Sequence, residues 1–279
     1  MPEIGSAPRR DQRYGVVTMY RKLRCIFLWV ISAIHFLIGV PLLLLMAVFI
    51  DPRKNDRPQR FFARNILRMA GAKFRVVVSN QFDPNQTCIF VSNHVNLFDP
   101  FVLYSAIPQF VRGWELESHF RIPIYGRMMK RFGNIPVADV KTPGNLKKLF
   151  RLTRQALEQG ISLIVFPEGG RTRTGHVQPF RQGIFRMVRD LGYPIVPVSI
   201  VGSFEFYHKG SWMLHLSEIV VYIHDPIHTQ NLSSNELNTL QDRVQEIVSQ
   251  PLMASYGLVS SSKSFKTERD TTSPMHIDK

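Results

Sequence analysis

Two short strings hold side chains that can move a proton and side chains that can hold an anion. In Asn93-His94-Val95-Asn96-Leu97-Phe98-Asp99 a histidine precedes an aspartate by five residues. Histidine takes and returns a proton near neutrality, and a carboxylate on one ring nitrogen fixes which nitrogen is free to act. Phe166-Pro167-Glu168-Gly169-Gly170-Arg171 supplies a carboxylate, two glycines and an arginine. That composition suits a polar or phosphorylated group approaching bare backbone. A base and an anion clamp belong in one pocket.

Each residue also has a plainer use. Asp99 precedes Pro100 and the apolar run Phe101-Val102-Leu103-Tyr104, the pattern of a helix N-cap with proline at the first helical position. On a helix, a five-residue spacing would put His94 and Asp99 on different faces, so their pairing needs a loop that folds back. Glu168 and Arg171 could form a surface ion pair.

The elements that must position these strings read as an α/β domain, apolar β-forming runs alternating with helical patterns. The runs predict strands over 73–79, 87–92, 111–115, 162–166, 195–201 and 218–223, and helices over 100–106, 123–131, 143–158, 181–190 and 234–249. Gly160 and Gly192 fall just past two of the helices, where a left-handed cap is common. The strands that lead into the two strings are almost entirely apolar, as expected where both faces of a sheet are covered. In such sheets functional groups collect in the loops beyond the carboxyl ends of the strands. The fold class is therefore α/β, a mixed central sheet flanked by helices.

Ahead of this domain, residues 25–50 (CIFLWVISAIHFLIGVPLLLLMAVFI) carry no formal charge over a length able to cross a hydrocarbon core of about 30 Å. This is an N-terminal membrane-associated helical segment. It is too long, and too far from the first residue, for a cleaved signal peptide. Cations flank both ends, so orientation is not set by them, and Pro41 allows a bend that would let the segment dip in and return. The stretch 53–68 interleaves six cations with Phe61, Phe62, Ile66 and Leu67, the pattern of an amphipathic helix on anionic headgroups or of an ordinary surface helix.

The organisation expected is a basic, membrane-anchoring region at 1–70, a catalytic domain at 71–259 and a disordered Ser/Thr/Lys-rich tail at 260–279. A net charge of +14 over 279 residues attracts anions: phospholipid surface, phosphorylated substrate or nucleic acid. No recognition-helix, zinc-finger or RNP-like string supports nucleic acid. Cys25 and Cys88 lie in apolar surroundings without paired spacing, which argues against a disulfide or zinc framework and for a reducing, cytosol-facing domain. His208, His215, His224 and His228 show no fixed ligand spacing, so no metal is expected.

Four blocks in order carry a resemblance. Asn93-His94 to Asp99, Gly133-Asn134-Ile135-Pro136-Val137, Phe166 to Arg171, and Val196-Pro197-Val198 resemble the glycerolipid acyltransferase family, typified by 1-acyl-glycerol-3-phosphate acyltransferase, over about 82–201. The resemblance implies transfer of a fatty acyl group from acyl-CoA or acyl carrier protein to the free hydroxyl of a lysophospholipid, 1-acyl-glycerol-3-phosphate first, with no other cofactor. It implies His94 as general base and Asp99 as the group that orients it. It further implies Glu168, Gly169, Arg171 and Gly133 as acceptor-binding residues, and a membrane enzyme whose catalytic domain faces the cytoplasm. No serine or cysteine sits in a nucleophile-elbow sequence beside the histidine, which agrees with direct attack by the acceptor. The Val-Pro-Val string reads as buried strand.

Two positions depart from the family pattern. Asp139 stands where the second block commonly ends in arginine, and Gly170 where threonine is usual. Lys141, Arg131 or Arg173 could compensate for the first. Another lysolipid or an aminolipid is the alternative acceptor, thioester hydrolysis the alternative reaction, and a non-catalytic lipid-binding protein the alternative class. Residues 112–127 line an acyl-chain path or pack the core.

Overall fold

The computed structural model of the chain describes residues 10–140, 142–230 and 232–257. The expected tail at 260–279 and Lys141 lie outside the described residues. Two helices come first, α1 (Arg10–Phe49) and α2 (Arg57–Met69), followed by strands β1 (Lys73–Val78) and β2 (Ile89–Ser92). Then come α3 (Asp99–Ala106), β3 (Val111–Leu116), a 3-10 turn (Glu117–Arg121), α4 (Tyr125–Phe132) and β4 (Ile135–Val137). The chain continues through α5 (Pro143–Glu158), β5 (Ser162–Val165), α6 (Gln182–Leu191), β6 (Ile195–Val201), α7 (Ser203–Phe206), β7 (Glu218–Ile223) and α8 (Ser234–Ser255).

The seven strands form one sheet in the order β1-β7-β6-β2-β5-β3-β4. It is mixed: β6, β2, β5, β3 and β4 are parallel, while β7 runs antiparallel to β6 and carries β1 parallel to itself. Ile89 pairs with Leu163 on one side and Ile195 on the other, so β2 and β5 sit side by side in the interior. Every residue of both strands is buried, the consequence of helices on both faces. One core cluster joins the sheet to α1, α2, α3 and α4 through residues such as Phe62, Leu67, Leu103 and Met128. The other joins it to α5, α6 and α8 through Leu157, Phe185 and Val244. Strand β4 is absent from the sequence expectation because three residues including a proline carry no readable alternation.

Helix α1 lies along the domain. Cys25, Ser32, Val40, Leu43 and Ala47 recur on one buried face, while Phe27, Ile34, Leu37, Leu45 and Phe49 on the other are exposed. The buried face is fastened near one end by the indole N–H of Trp29 on the Trp212 carbonyl (2.7 Å) and Arg24 on the Leu214 carbonyl (3.1 Å). Further along, the His35 ring stacks on Phe62 of α2 with centroids 4.8 Å apart. Gly39 permits this approach, since a Cβ there would stand 2.4 Å from the Phe62 ring.

Helix α2 buries Phe62, Ala63, Ile66 and Leu67, and exposes Phe61. Its cations divide. Arg57, Arg64 and Arg68 are exposed, whereas Arg60 turns inward to Asp56 at 2.7 Å and donates to the carbonyls of Tyr104, Ile107 and Gln109. The Tyr104 carbonyl lies in the last turn of α3 and those of Ile107 and Gln109 just follow it, so Arg60 caps the C-terminal end of the helix that follows the His94 loop.

Candidate active site

The loops leaving β2, β5 and β6 meet at the carboxyl edge of the sheet because those strands are neighbours. Asn93 opens the first loop and binds across to β6: its side chain accepts the Ile200 N–H at 2.8 Å and donates to the Ile200 carbonyl at 3.0 Å. Asn96 donates to the Ser203 carbonyl and hydroxyl and to the Tyr207 carbonyl, each at 2.8 Å, and accepts the Phe98 N–H. The loop between them therefore folds back, as a pairing of His94 with Asp99 requires.

The pair forms. Nδ1 of His94 lies 2.8 Å from Oδ2 of Asp99, and the Asp99 side chain is wholly buried. The same oxygen accepts the N–H groups of Val95 (2.5 Å) and Asn96 (2.8 Å), and Oδ1 accepts the Ser203 hydroxyl at 2.8 Å. Asp99 is the first residue of α3 rather than its cap, and its carboxylate turns back into the preceding loop instead of onto the helix N–H groups. A carboxylate accepts only, so Nδ1 carries the proton and Nε2 is left with its lone pair. No hydrogen bond engages Nε2 among the described residues, and the imidazole, 19% exposed, stacks on Phe166 with centroids 4.1 Å apart. The geometry is that of a general base with a fixed tautomer.

Glu168 is held by the backbone of two loops. Its Oε1 accepts the His94 N–H at 2.7 Å and its Oε2 the Gln178 N–H at 3.0 Å, while Thr172 N–H donates to the His94 carbonyl at 2.9 Å. The carboxylate stitches the β2 loop to the β5 loop. Burial pushes its pKa up to about 7, against the pull of the two N–H donors. No Glu168–Arg171 ion pair forms among the described residues; Arg171 is half-buried and no hydrogen bond or ion pair holds it.

Gly169 stands between them with φ +69°, and a Cβ there would lie 2.3 Å from the Arg181 guanidinium, whose Nε donates to the Glu168 carbonyl. Gly170 is exposed with open space around its missing Cβ, so the backbone fits the family's threonine equally well.

Gly133 is not brought to His94. It is the left-handed residue (φ +82°) that ends α4, on the amino-terminal side of β4, three strands away from β2. Its separation from the site follows from strand order, which puts β3 and β4 outside β5. Asp139, beyond the other end of β4, is exposed and accepts the Ser118 hydroxyl at 3.3 Å. In the 112–127 stretch Arg112 is fully buried over the Phe110 ring (3.7 Å) and donates to the carbonyls of Val111 and Phe132, a core role; Ile122 and Ile124 are exposed.

Sequence reasoning quoted Asn93 and Asn96 only as part of a motif and missed Ser203, Gln178 and Arg181. Ser203 lies two residues past the Val-Pro-Val strand, and only the adjacency of β6 to β2 makes it a partner of Asp99. Among the described residues no three or more His, Cys, Asp or Glu side chains form a group able to hold a metal. His224 sits buried against the Ser199 hydroxyl at 2.8 Å, its pKa lowered to about 4 by burial.

A family profile described as Acyltransferase matches residues 73–201, the span that holds both loops and β6. The chain is similar to the 1-acyl-sn-glycerol-3-phosphate acyltransferase BAT2 of Brassica napus chloroplasts, 30% identical over 142 residues, which is 50% of this chain and 41% of that protein. It is similar to the human 1-acyl-sn-glycerol-3-phosphate acyltransferase alpha, 25% identical over 202 residues, covering 69% of this chain and 68% of the relative. The matched region spans about half the length of the first of these curated relatives. The fold is that of the crystallised 1-acyl-sn-glycerophosphate (LPA) acyltransferase of Thermotoga maritima, with TM-score 0.70 at 20% identity over 87% of this chain and 99% of that one.

Proposed function

We propose that this chain is an O-acyltransferase that moves a fatty acyl group from acyl-CoA or acyl carrier protein to the free hydroxyl of a lysophospholipid, 1-acyl-glycerol-3-phosphate first. The observation that carries the reading is the 2.8 Å His94–Asp99 pair at the carboxyl edge of the sheet, with Nε2 left open. Nε2 takes the proton of the acceptor hydroxyl as its oxygen attacks the thioester carbonyl. The tetrahedral intermediate collapses by breaking the carbon–sulfur bond, and the departing thiolate recovers the proton from Nε2. Asp99 keeps the ring in register and stabilises the imidazolium formed on the way. No residue of the chain becomes acylated. General base catalysis supplies about 10²–10⁴-fold, and positioning of the two substrates must supply much of the rest.

Arg171 has a guanidinium free to take a phosphate through two parallel hydrogen bonds, and we assign it the acceptor's anion. The bilayer is reached without leaving the membrane surface. From Cys25 to Ala47 α1 rests on the domain over about 33 Å. Were α1 to cross a bilayer, the polar domain packed along it would stand in the hydrocarbon. An in-plane anchor fits, with the exposed face of α1 and Phe61 in the interface and Arg57, Arg64 and Arg68 toward anionic headgroups, on the cytoplasmic leaflet.

The test is an acceptor panel offered with acyl-CoA and with acyl carrier protein, read by mass spectrometry of the lipid products. Phosphatidic acid formed from 1-acyl-glycerol-3-phosphate supports the proposal. Thiol release independent of any acceptor identifies a hydrolase, and no turnover of either kind a lipid-binding protein.

A further inference from the structure

A cavity lies at the open edge of the sheet, about 450 Å³ in volume, lined by Glu117, Phe120, Arg121, Lys130, Asn134, Pro136 and Lys148. Helices α4 and α5 bring Lys130 and Lys148 to it, and the 3-10 turn after β3 brings Arg121. The Asn134 carbonyl oxygen is spent on the Gly113 N–H at 3.0 Å, which orients its amide as a donor. Three cations, an amide donor and the apolar Phe120 and Pro136 thus line one cavity. Glu117 is the opposing charge: it pairs with Lys148 at 3.5 Å.

The cavity is on the β4 side of the catalytic loop. β4, β3, β5 and β2 are successive strands, so its inner wall stands three inter-strand spacings, about 14 Å, from the strand that leads into His94. The register Gly113↔Ile164 runs β3 parallel to β5, so Glu117, the first residue past β3, and Glu168, three residues past β5, both lie beyond the carboxyl edge of the sheet. A pantetheine arm, about as long as four to five extended residues, spans roughly 15 Å. Phosphate bound in the cavity would thus leave a thioester at His94. We infer that this cavity receives the adenosine 3′-phosphate 5′-diphosphate head of acyl-CoA, with Lys130, Lys148 and Arg121 on the phosphates and the adenine against Phe120 and Pro136. The assignment rests on the proposed acyl transfer and names its donor.

Calorimetric titration of the full chain in detergent with CoA, and with 3′,5′-ADP, reads the site without turnover. Lys130→Ala/Lys148→Ala should weaken both ligands about tenfold and raise the KM for acyl-CoA in step, with the KM for lysolipid unmoved. Glu117→Gln releases Lys148 and removes the repelling charge, so it should tighten CoA severalfold, a gain that misfolding cannot mimic. Binding should fade as salt rises. Unchanged CoA affinity in both variants overturns the inference. A KM shift confined to the lysolipid overturns it in favour of an acceptor phosphate, and one confined to acyl carrier protein in favour of the carrier's phosphopantetheine. CoA binding without acyl transfer would instead remove the proposed function and leave the site standing.

Discussion

At the scale of single residues the site depends on how many donors converge on Asp99. Four groups give it hydrogen bonds, three of them on Oδ2. Asp99→Asn keeps the shape but presents an amide where only an acceptor fits. The His94 tautomer is then wrong, and kcat should fall by a factor on the order of 10³–10⁴ with little change in KM. Ser203→Ala leaves Oδ1 buried without its donor. It should destabilise the fold by about 1–3 kcal/mol and displace the pH–rate profile, which a mutation that only loosened packing would not do. Glu168 makes stability pH-dependent. The unfolded carboxyl ionises near 4.5 and the folded one near about 7, so across that window the folded chain holds the extra proton. Its contribution to stability is whole below the window, falls as pH rises through it and levels off above about 7. Chemical denaturation at stepped pH should show this fall in the wild type and a flatter curve in Glu168→Gln; parallel curves would assign the slope to other groups.

Elements decide which residues meet, and here sequence and structure part company in instructive ways. The strands ending at Ser92 and Val165 were legible to within a residue because buried parallel strands are continuous apolar runs, and both loops lie where such strands place function. The pairing of His94 with Asp99 was ambiguous in spacing alone, since it depends on Asn93 and Asn96 tying the loop to β6. Gly133 failed to join the site for the same kind of reason: block order in the chain does not give strand order in the sheet. Helix α1 was read as a membrane segment from composition, but only packing shows that one face is already occupied. That packing turns on Gly39. Gly39→Leu drives a side chain into the Phe62 ring and should lower stability by about 1–3 kcal/mol while levering α1 from α2. A melting temperature equal to that of the wild type would contradict the close approach.

For the molecule as a whole, the charge of +14 and the apolar outer face of α1 act together. Phe27→Glu/Ile34→Glu/Leu45→Glu puts three charges on that face. It should abolish flotation with anionic vesicles and leave the melting of the catalytic domain unchanged, whereas raising salt should weaken binding only in part. Retained flotation would mean that the membrane contact lies elsewhere. The central claim is that His94, held by Asp99, removes the proton from a lipid hydroxyl. Labelled acyl-CoA and 1-acyl-glycerol-3-phosphate, presented to purified wild-type and His94→Ala proteins of equal melting temperature, test it most directly. The rate of labelled phosphatidic acid formation should fall by about 10²–10⁴-fold in the variant; an undiminished rate would show that the base is another group.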